Sequence, residues 1–199
     1  MKDQIGCDAD LAGRLSDIRA IALDRDGTIN VDVGYPHRLA DLEIIDGFVE
    51  FMRWAASRNL PVSVITNQSG VARGYYTVDD MHRFNAAINA VIAPEGLQIE
   101  RFEFCPHLPD TGCTCRKPGT AMLERLSAQC GIPASQWIVF GDQPTDVECA
   151  RKFGAVAVGV GSKFAGLDRV GMSPDFVVRT LGDFPERYLR AIDSIQEPV

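Results

Sequence analysis

The stretch Ala20-Ile21-Ala22-Leu23-Asp24-Arg25-Asp26-Gly27-Thr28-Ile29-Asn30 passes from an apolar run straight into two carboxylates, a glycine and a hydroxyl. An apolar run without polar alternation suits a strand buried on both faces, as in a parallel sheet covered by helices. The carboxylates then stand at its C-terminal end, the edge where open α/β sheets bind ligands. Asp24 and Asp26 are two apart, so on an ideal strand they share a face, and a turn at Gly27 swings both towards one point. Two acids aimed at one point repel unless a cation lies between them, and a hard, oxygen-seeking ion such as Mg²⁺ meets that need. A bare Asp-x-Asp is more often a polar turn with its acids in water, so the decision rests on matching partners further along.

Residues 30–42 carry Gly34 and Pro36 and no clear period, which predicts a loop at the mouth of the site. Phe48, Val49, Phe51, Met52, Trp54 and Ala55 recur at helical spacing after Asp46-Gly47, predicting a helix that ends near Asn59. Residues 60–66 read as a second strand, 78–93 as a helix through Met81, Phe84, Ile88 and Val91, and 98–105 as a strand. A helix over 118–129, a strand over 137–142, a short helix over 146–153 and a strand over 155–160 follow. An edge strand at 176–178 and a closing helix over 183–195 complete the series. Strands alternating with helices imply right-handed crossovers and a Rossmann-like α/β fold, one parallel sheet with helices on both faces, as a single domain over 1–199. Three strands end in chemistry, at Asp24, Thr66 and Asp142, and one sheet edge collects them.

A chain of 199 residues with 46% hydrophobic and 24% charged residues is long and apolar enough to bury a core without staples. Its net charge of −7 leaves no broad basic footprint, which argues against nucleic-acid or membrane binding, so an anionic ligand needs local cations. Residues 1–19 contain no continuous apolar core and read as neither signal peptide nor membrane span; 1–18 read as a loose N-terminal extension. Of six cysteines, three crowd into 105–115, a distribution unsuited to a disulfide framework and suited to a metal loop in a reducing compartment. A cytoplasmic monomer is the expectation, with Cys7, Cys130 and Cys149 as plain thiols.

Phosphoryl transfer asks for in-line positioning, a bridging cation and donors for the equatorial oxygens. Thr66-Asn67-Gln68-Ser69-Gly70 supplies a hydroxyl, two amides and a turn glycine straight after a strand; Thr66 and Asn67 are the candidate substrate contacts. Arg116-Lys117-Pro118 places two cations immediately before a helix whose N-terminus favours anions. Asp142 and Asp146 add carboxylates at a strand end, where a cation is shared with Asp24. Cys105-Pro-His107 and Cys113-Thr-Cys115 put three thiols and an imidazole into one short loop, a set suited to tetrahedral, closed, structural Zn²⁺. A metal knot there aims Arg116 and Lys117 at the substrate.

Taken in this order, the four motifs resemble those of the haloacid dehalogenase superfamily of phosphotransferases, over residues 20 to about 160. The resemblance implies that Asp24 is the nucleophile forming an aspartyl-phosphate, and that Asp26 first protonates the leaving oxygen and then activates water. It implies that Thr66 and Lys117 hold phosphoryl oxygens, that Mg²⁺ is bound by the Asp24 carboxylate, the Asp26 main-chain carbonyl and Asp142, and that Asp146 caps a helix or supports from outside the coordination sphere.

Asp24-Arg-Asp-Gly-Thr-Ile-Asn30 with Gly34-Tyr35, then Thr66-Asn-Gln-Ser-Gly-Val-Ala-Arg73-Gly74, then the cysteine loop running into Arg116-Lys117-Pro118, is similar to the D-glycero-D-manno-heptose 1,7-bisphosphate phosphatases. That family is capless, with the zinc loop shaping the entrance, and this chain has no stretch long enough for an inserted lid. The resemblance implies removal of the C7 phosphate, with Arg116, the loop from Tyr35 to Arg38 and Arg73 reading the sugar and the distal phosphate. Histidinol-phosphate phosphatases carry a nearly identical cysteine loop and are the alternative. Gln143 stands directly after Asp142 where a basic residue is common. A catalytically silent sugar-phosphate binder is the rival from another class, and the intact Asp24, Asp26, Lys117 and Asp142 weigh against it.

Overall fold

A computed structural model describes residues 9–164 and 173–196. Its centre is a six-stranded, all-parallel sheet in the order β3-β2-β1-β4-β5-β6, formed by β1 (Ala20–Leu23), β2 (Val62–Asn67), β3 (Arg101–Cys105), β4 (Trp137–Gly141), β5 (Val156–Val160) and β6 (Phe176–Val178). Leu23 lies opposite Val64 on one side and Phe140 on the other. The helices are α1 (Ala9–Ser16), α2 (Phe48–Ser57), α3 (Val78–Ile92), α4 (Ala121–Cys130), α5 (Pro144–Phe153) and α6 (Phe184–Gln196).

Both faces of β1 are buried, and its alternation divides the core. Ile21 and Leu23 join Phe48, Phe51, Phe84 and Phe184, from α2, α3 and α6. Ala20 and Ala22 join Met122, Leu126, Val147 and Ala150, from α4 and α5. A fully buried side chain such as Phe51 contributes about 1.5–3 kcal/mol relative to exposure. The chain winds outward from β1 through β2 to β3, then returns through α4 to β4 on the other side of β1. Asp24 and Asp142 therefore flank the point where strand order reverses, the crevice that doubly wound sheets use for ligands.

Four details differ from the pattern read in the sequence. Residues 9–18, expected within a loose extension, form α1 and its exit; Ala12, Leu15 and Ile18 are buried, and the Tyr188 hydroxyl donates to the Leu15 carbonyl at 3.3 Å. Residues 1–8, with Cys7, lie outside the described residues. β3 starts at Arg101 rather than at 98, because Ile99 pairs with the Asn89 amide of α3 through both its N–H (2.8 Å) and its carbonyl (3.3 Å). α4 starts at Ala121, so Lys117 does not abut a helix N-terminus. Residues 118–120 instead make a turn closed by Gly119 N–H to the Arg116 carbonyl at 2.6 Å, and a Cβ at Gly119 would collide with the Thr114 carbonyl. α5 begins earlier than expected, at Pro144, with Gln143 as its N-cap. Among the described residues no helix is long and apolar enough to cross a membrane.

Candidate active site

Where β1 ends, the Asp24 N–H still donates to the Phe140 carbonyl of β4 at 2.8 Å, which holds the carboxylate over the crevice. Gly27 then turns the chain at φ +84°, a conformation only glycine adopts freely. A Cβ there would lie 2.6 Å from Asp142 Oδ2, so the same glycine lets β1 and β4 bring their acids together. Lys117 enters from the far side of β2. Its Nζ donates to Asp24 Oδ1 at 2.5 Å and to the Ile65 carbonyl at 2.9 Å, and lies 2.8 Å from Asp146 Oδ1. Asn67 fixes the lysine's main chain, accepting from Lys117 N–H at 3.0 Å and donating to the Lys117 carbonyl at 3.3 Å. Its amide, read as a substrate contact, is thus engaged in placing the cation.

Burial pushes the Asp24 carboxyl well above the usual carboxylate range, against the pull of Lys117. Burial alone would lower Lys117, but Asp146 and Asp24 outweigh it and hold the ammonium charged. Carboxylate oxygens of Asp24, Asp142 and Asp146 lie within 4.8 Å of one another, and Asp142 Oδ1 is buried without a hydrogen-bond donor. Three converging acids with an orphaned oxygen fit a hard divalent cation. Asp146 also caps α5, its Oδ2 accepting from the Gln143 N–H at 3.0 Å.

Asp26 faces a different neighbourhood. Its Oδ1 accepts from Arg25 Nε at 2.8 Å and Asn30 Nδ2 at 3.1 Å, and its Oδ2 from Arg25 Nη2 at 2.9 Å and Gln68 Nε2 at 2.8 Å. Arg25, given no role in the sequence reading, is fully buried: it also donates to Asn85 Oδ1 and the Pro36 carbonyl, both at 3.0 Å, and lies over the Phe84 ring. Gln68, likewise unassigned, links Asp26 to the Thr66 hydroxyl (2.8 Å) and accepts from the Tyr76 hydroxyl (2.6 Å). The signal for both was their place inside the two quoted motifs.

The cysteine loop gathers as a cluster. Cys105 Sγ lies 3.6 Å from Cys113 Sγ and 3.5 Å from His107 Nδ1, which is 3.2 Å from Cys115 Sγ. Tetrahedral zinc with Zn–S bonds of about 2.3 Å requires S···S edges of roughly 3.8 Å. The four groups therefore fit a closed zinc site in size and donor type. Burial pushes the Cys105 thiol up to about 12, so metal binding has to displace its proton.

At the rim, the cleft of about 350 Å³ over these acids is lined by Tyr35, Thr66, Tyr76, Arg116 and Lys117 among others. Tyr35, a non-glycine residue at φ +58°, stacks edge-to-face with the exposed Tyr75 at 5.1 Å, and Arg73 lies 6.0 Å from the Tyr35 ring centre. Tyr75, which packs on Tyr35, and Tyr76, which lines the cleft, were not singled out in the sequence. Arg116 reaches back to the His107 carbonyl at 3.5 Å, tying the rim to the cysteine cluster.

The sheet order and the acid-lysine cluster at its switch point define a doubly wound core of the phosphatase type, and a family model described as HAD-hydrolase-like matches residues 114–184. The D-glycero-beta-D-manno-heptose-1,7-bisphosphate 7-phosphatase of Escherichia coli (strain K12) is 33% identical over 196 residues, 91% of this chain and 97% of the relative. That of Yersinia pestis is 32% identical, over 85% of this chain and 94% of its own. A solved D,D-heptose 1.7-bisphosphate phosphatase from B. bronchiseptica, complexed with magnesium and phosphate, shares the fold at a TM-score of 0.79 and 24% identity, covering 87% of this chain and 99% of that one. The chain belongs to the D-glycero-D-manno-heptose-1,7-bisphosphate 7-phosphatase family of haloacid dehalogenase-like hydrolases.

Proposed function

We propose that the protein is a Mg²⁺-dependent phosphatase that removes the C7 phosphate of D-glycero-D-manno-heptose 1,7-bisphosphate through an aspartyl-phosphate. One observation carries the reading: Asp24 and Lys117, 93 positions apart, meet at 2.5 Å beside the orphaned oxygen of Asp142. An Asp24 oxygen attacks phosphorus, the bond from phosphorus to the sugar O7 breaks, and the leaving oxygen takes a proton from Asp26. Asp26 then removes a proton from water as that water attacks the aspartyl-phosphate, which releases phosphate and restores Asp24. Both Asp26 oxygens already accept N–H donors, so carrying a proton entails releasing one of those contacts. Thr66 and Lys117 hold the phosphoryl oxygens, and the Asp24–Lys117 contact opens to admit them. The Asp24 and Asp142 carboxylates and the Asp26 main-chain carbonyl would hold Mg²⁺, which when bound would supply charge neutralisation for the transferring group.

Cys105, His107, Cys113 and Cys115 would hold Zn²⁺ as a structural knot that positions Arg116. Arg116 receives the distal phosphate and Tyr35 and Arg73 the sugar. Among the described residues the segments linking β1 to β2 and β2 to β3 each carry one α-helix and a short 3-10 turn and no inserted domain, which supports an entrance shaped by loops. The enzyme works as a monomer in a reducing compartment, the cytoplasm, where a three-thiol site stays reduced.

The test is phosphate release with Mg²⁺ from both anomers of the heptose bisphosphate, from histidinol phosphate and from a small phosphomonoester. Heptose bisphosphate turning over no faster than histidinol phosphate overturns the substrate reading. Asp24→Asn abolishes turnover with native circular dichroism; retained turnover sinks the nucleophile assignment.

A further inference from the structure

The two oxygens of Asp142 have different surroundings. Oδ1 is buried without a donor, whereas Oδ2 accepts from Gln143 Nε2 and from Lys163 Nζ, both at 2.6 Å. We propose that Lys163 is a positioning residue for the cation site: it clamps Oδ2 of Asp142 and thereby turns Oδ1 towards the metal. The inference rests on the reading of Asp142 as a cation ligand.

Ligating carboxylates work best when an outer partner fixes their orientation. Lys163 is well placed for that task. It follows β5, at the same sheet edge as Asp24 and Asp142, in a short 3-10 turn (Ser162–Phe164). The neighbouring Phe164 is buried against Gly159, where a Cβ would come within 2.6 Å of the ring, so the turn is anchored from below. The ammonium reaches Asp142 from the solvent side, with the Lys163 side chain 53% exposed and that of Asp142 only 9%. The residue directly after Asp142 is the uncharged Gln143, so the positive charge at this carboxylate comes from the turn after β5, 21 positions on. Asp24, Asp142 and Asp146 then face two ammoniums, Lys117 and Lys163, and the residual negative charge suits a dication.

An ion pair as exposed as Lys163 contributes little to folding, so its effect should appear in metal binding rather than in stability. Isothermal titration of the substrate-free protein with Mg²⁺ should give affinity roughly tenfold to a hundredfold weaker for Lys163→Ala, largely restored in Lys163→Arg. Lys152→Ala, which removes a surface pair with Glu148, should leave affinity unchanged. With a small phosphomonoester, the Mg²⁺ concentration for half-maximal turnover should rise by the same factor in Lys163→Ala, while kcat at saturating Mg²⁺ stays within about threefold. Asp142→Ala run in parallel separates the two layers of the argument. Unchanged Mg²⁺ affinity in Asp142→Ala overturns the ligand assignment itself. Affinity lost there but unchanged or tighter in Lys163→Ala overturns the role of Lys163 alone.

Discussion

Replacing Lys117 by Met keeps the length of the side chain and removes its charge. At an effective dielectric constant of about 20, unit charges at 2.5 Å and 2.8 Å, the distances from Nζ to Asp24 and Asp146, attract by about 7 and about 6 kcal/mol. Desolvation offsets much of this in the intact protein, since side chains of all three residues are at most one-tenth exposed. In Lys117→Met the two carboxylates remain buried without their cation, and stability falls by about 3–5 kcal/mol. For a chain of this length that corresponds to a drop in Tm of roughly 6–20 °C. Thermal unfolding in Mg²⁺-free buffer reads the loss, and saturating Mg²⁺ should recover part of it by supplying positive charge to the same carboxylates. Turnover at saturating Mg²⁺ should fall by at least about 100-fold. A Tm within about 2 °C of the parent without Mg²⁺ would refute the buried ion-pair argument, and near-parental turnover would remove Lys117 from the phosphoryl site.

The purified protein should contain about one equivalent of zinc per chain, and its removal should abolish hydrogen-exchange protection over 105–117 and raise KM; zinc well below that level counts against the knot. Burial pushes the Tyr76 phenol from 10 up to about 12, so the folded state holds that proton more tightly. Its contribution is complete below pH 10 and is lost as pH rises towards 12, so denaturation across this range should show a steeper decline for the parent than for Tyr76→Phe. Parallel declines would mean the phenol is not shielded. Gly27→Ala forces a Cβ at φ +84° to within 2.6 Å of Asp142 Oδ2, which should cost about 1–3 kcal/mol in chemical denaturation and weaken Mg²⁺ binding; affinity unchanged would uncouple this turn from Asp142.

The parallel sheet was legible because its central strands are apolar on both faces, and a run such as residues 20–23 has few other ways to be buried. The placement of Asp24, Thr66 and Asp142 on one edge followed from connection rules alone. Arg25 was harder to see. An arginine between two aspartates reads as solvated, and only Asn85, 60 positions on, and Pro36, 11 on, turn it into a fully buried strut for Asp26. Lys163 carries no local signal at all, since a lysine after a strand reads as a surface charge.

Asp24-Arg-Asp-Gly-Thr28 and the spaced cysteines therefore determined the kind of fold, the carboxylate at its switch point and the metal-type loop, because those depend on periodicity and on residue chemistry within a few positions. The pairing of Lys117 with both Asp24 and Asp146, the use of Asn67 to hold that lysine's backbone, and the clamp of Lys163 on Asp142 were decided by tertiary structure. Each joins side chains from different strands or loops, and which oxygen of a carboxylate is tied and which is left bare depends on how those elements pack.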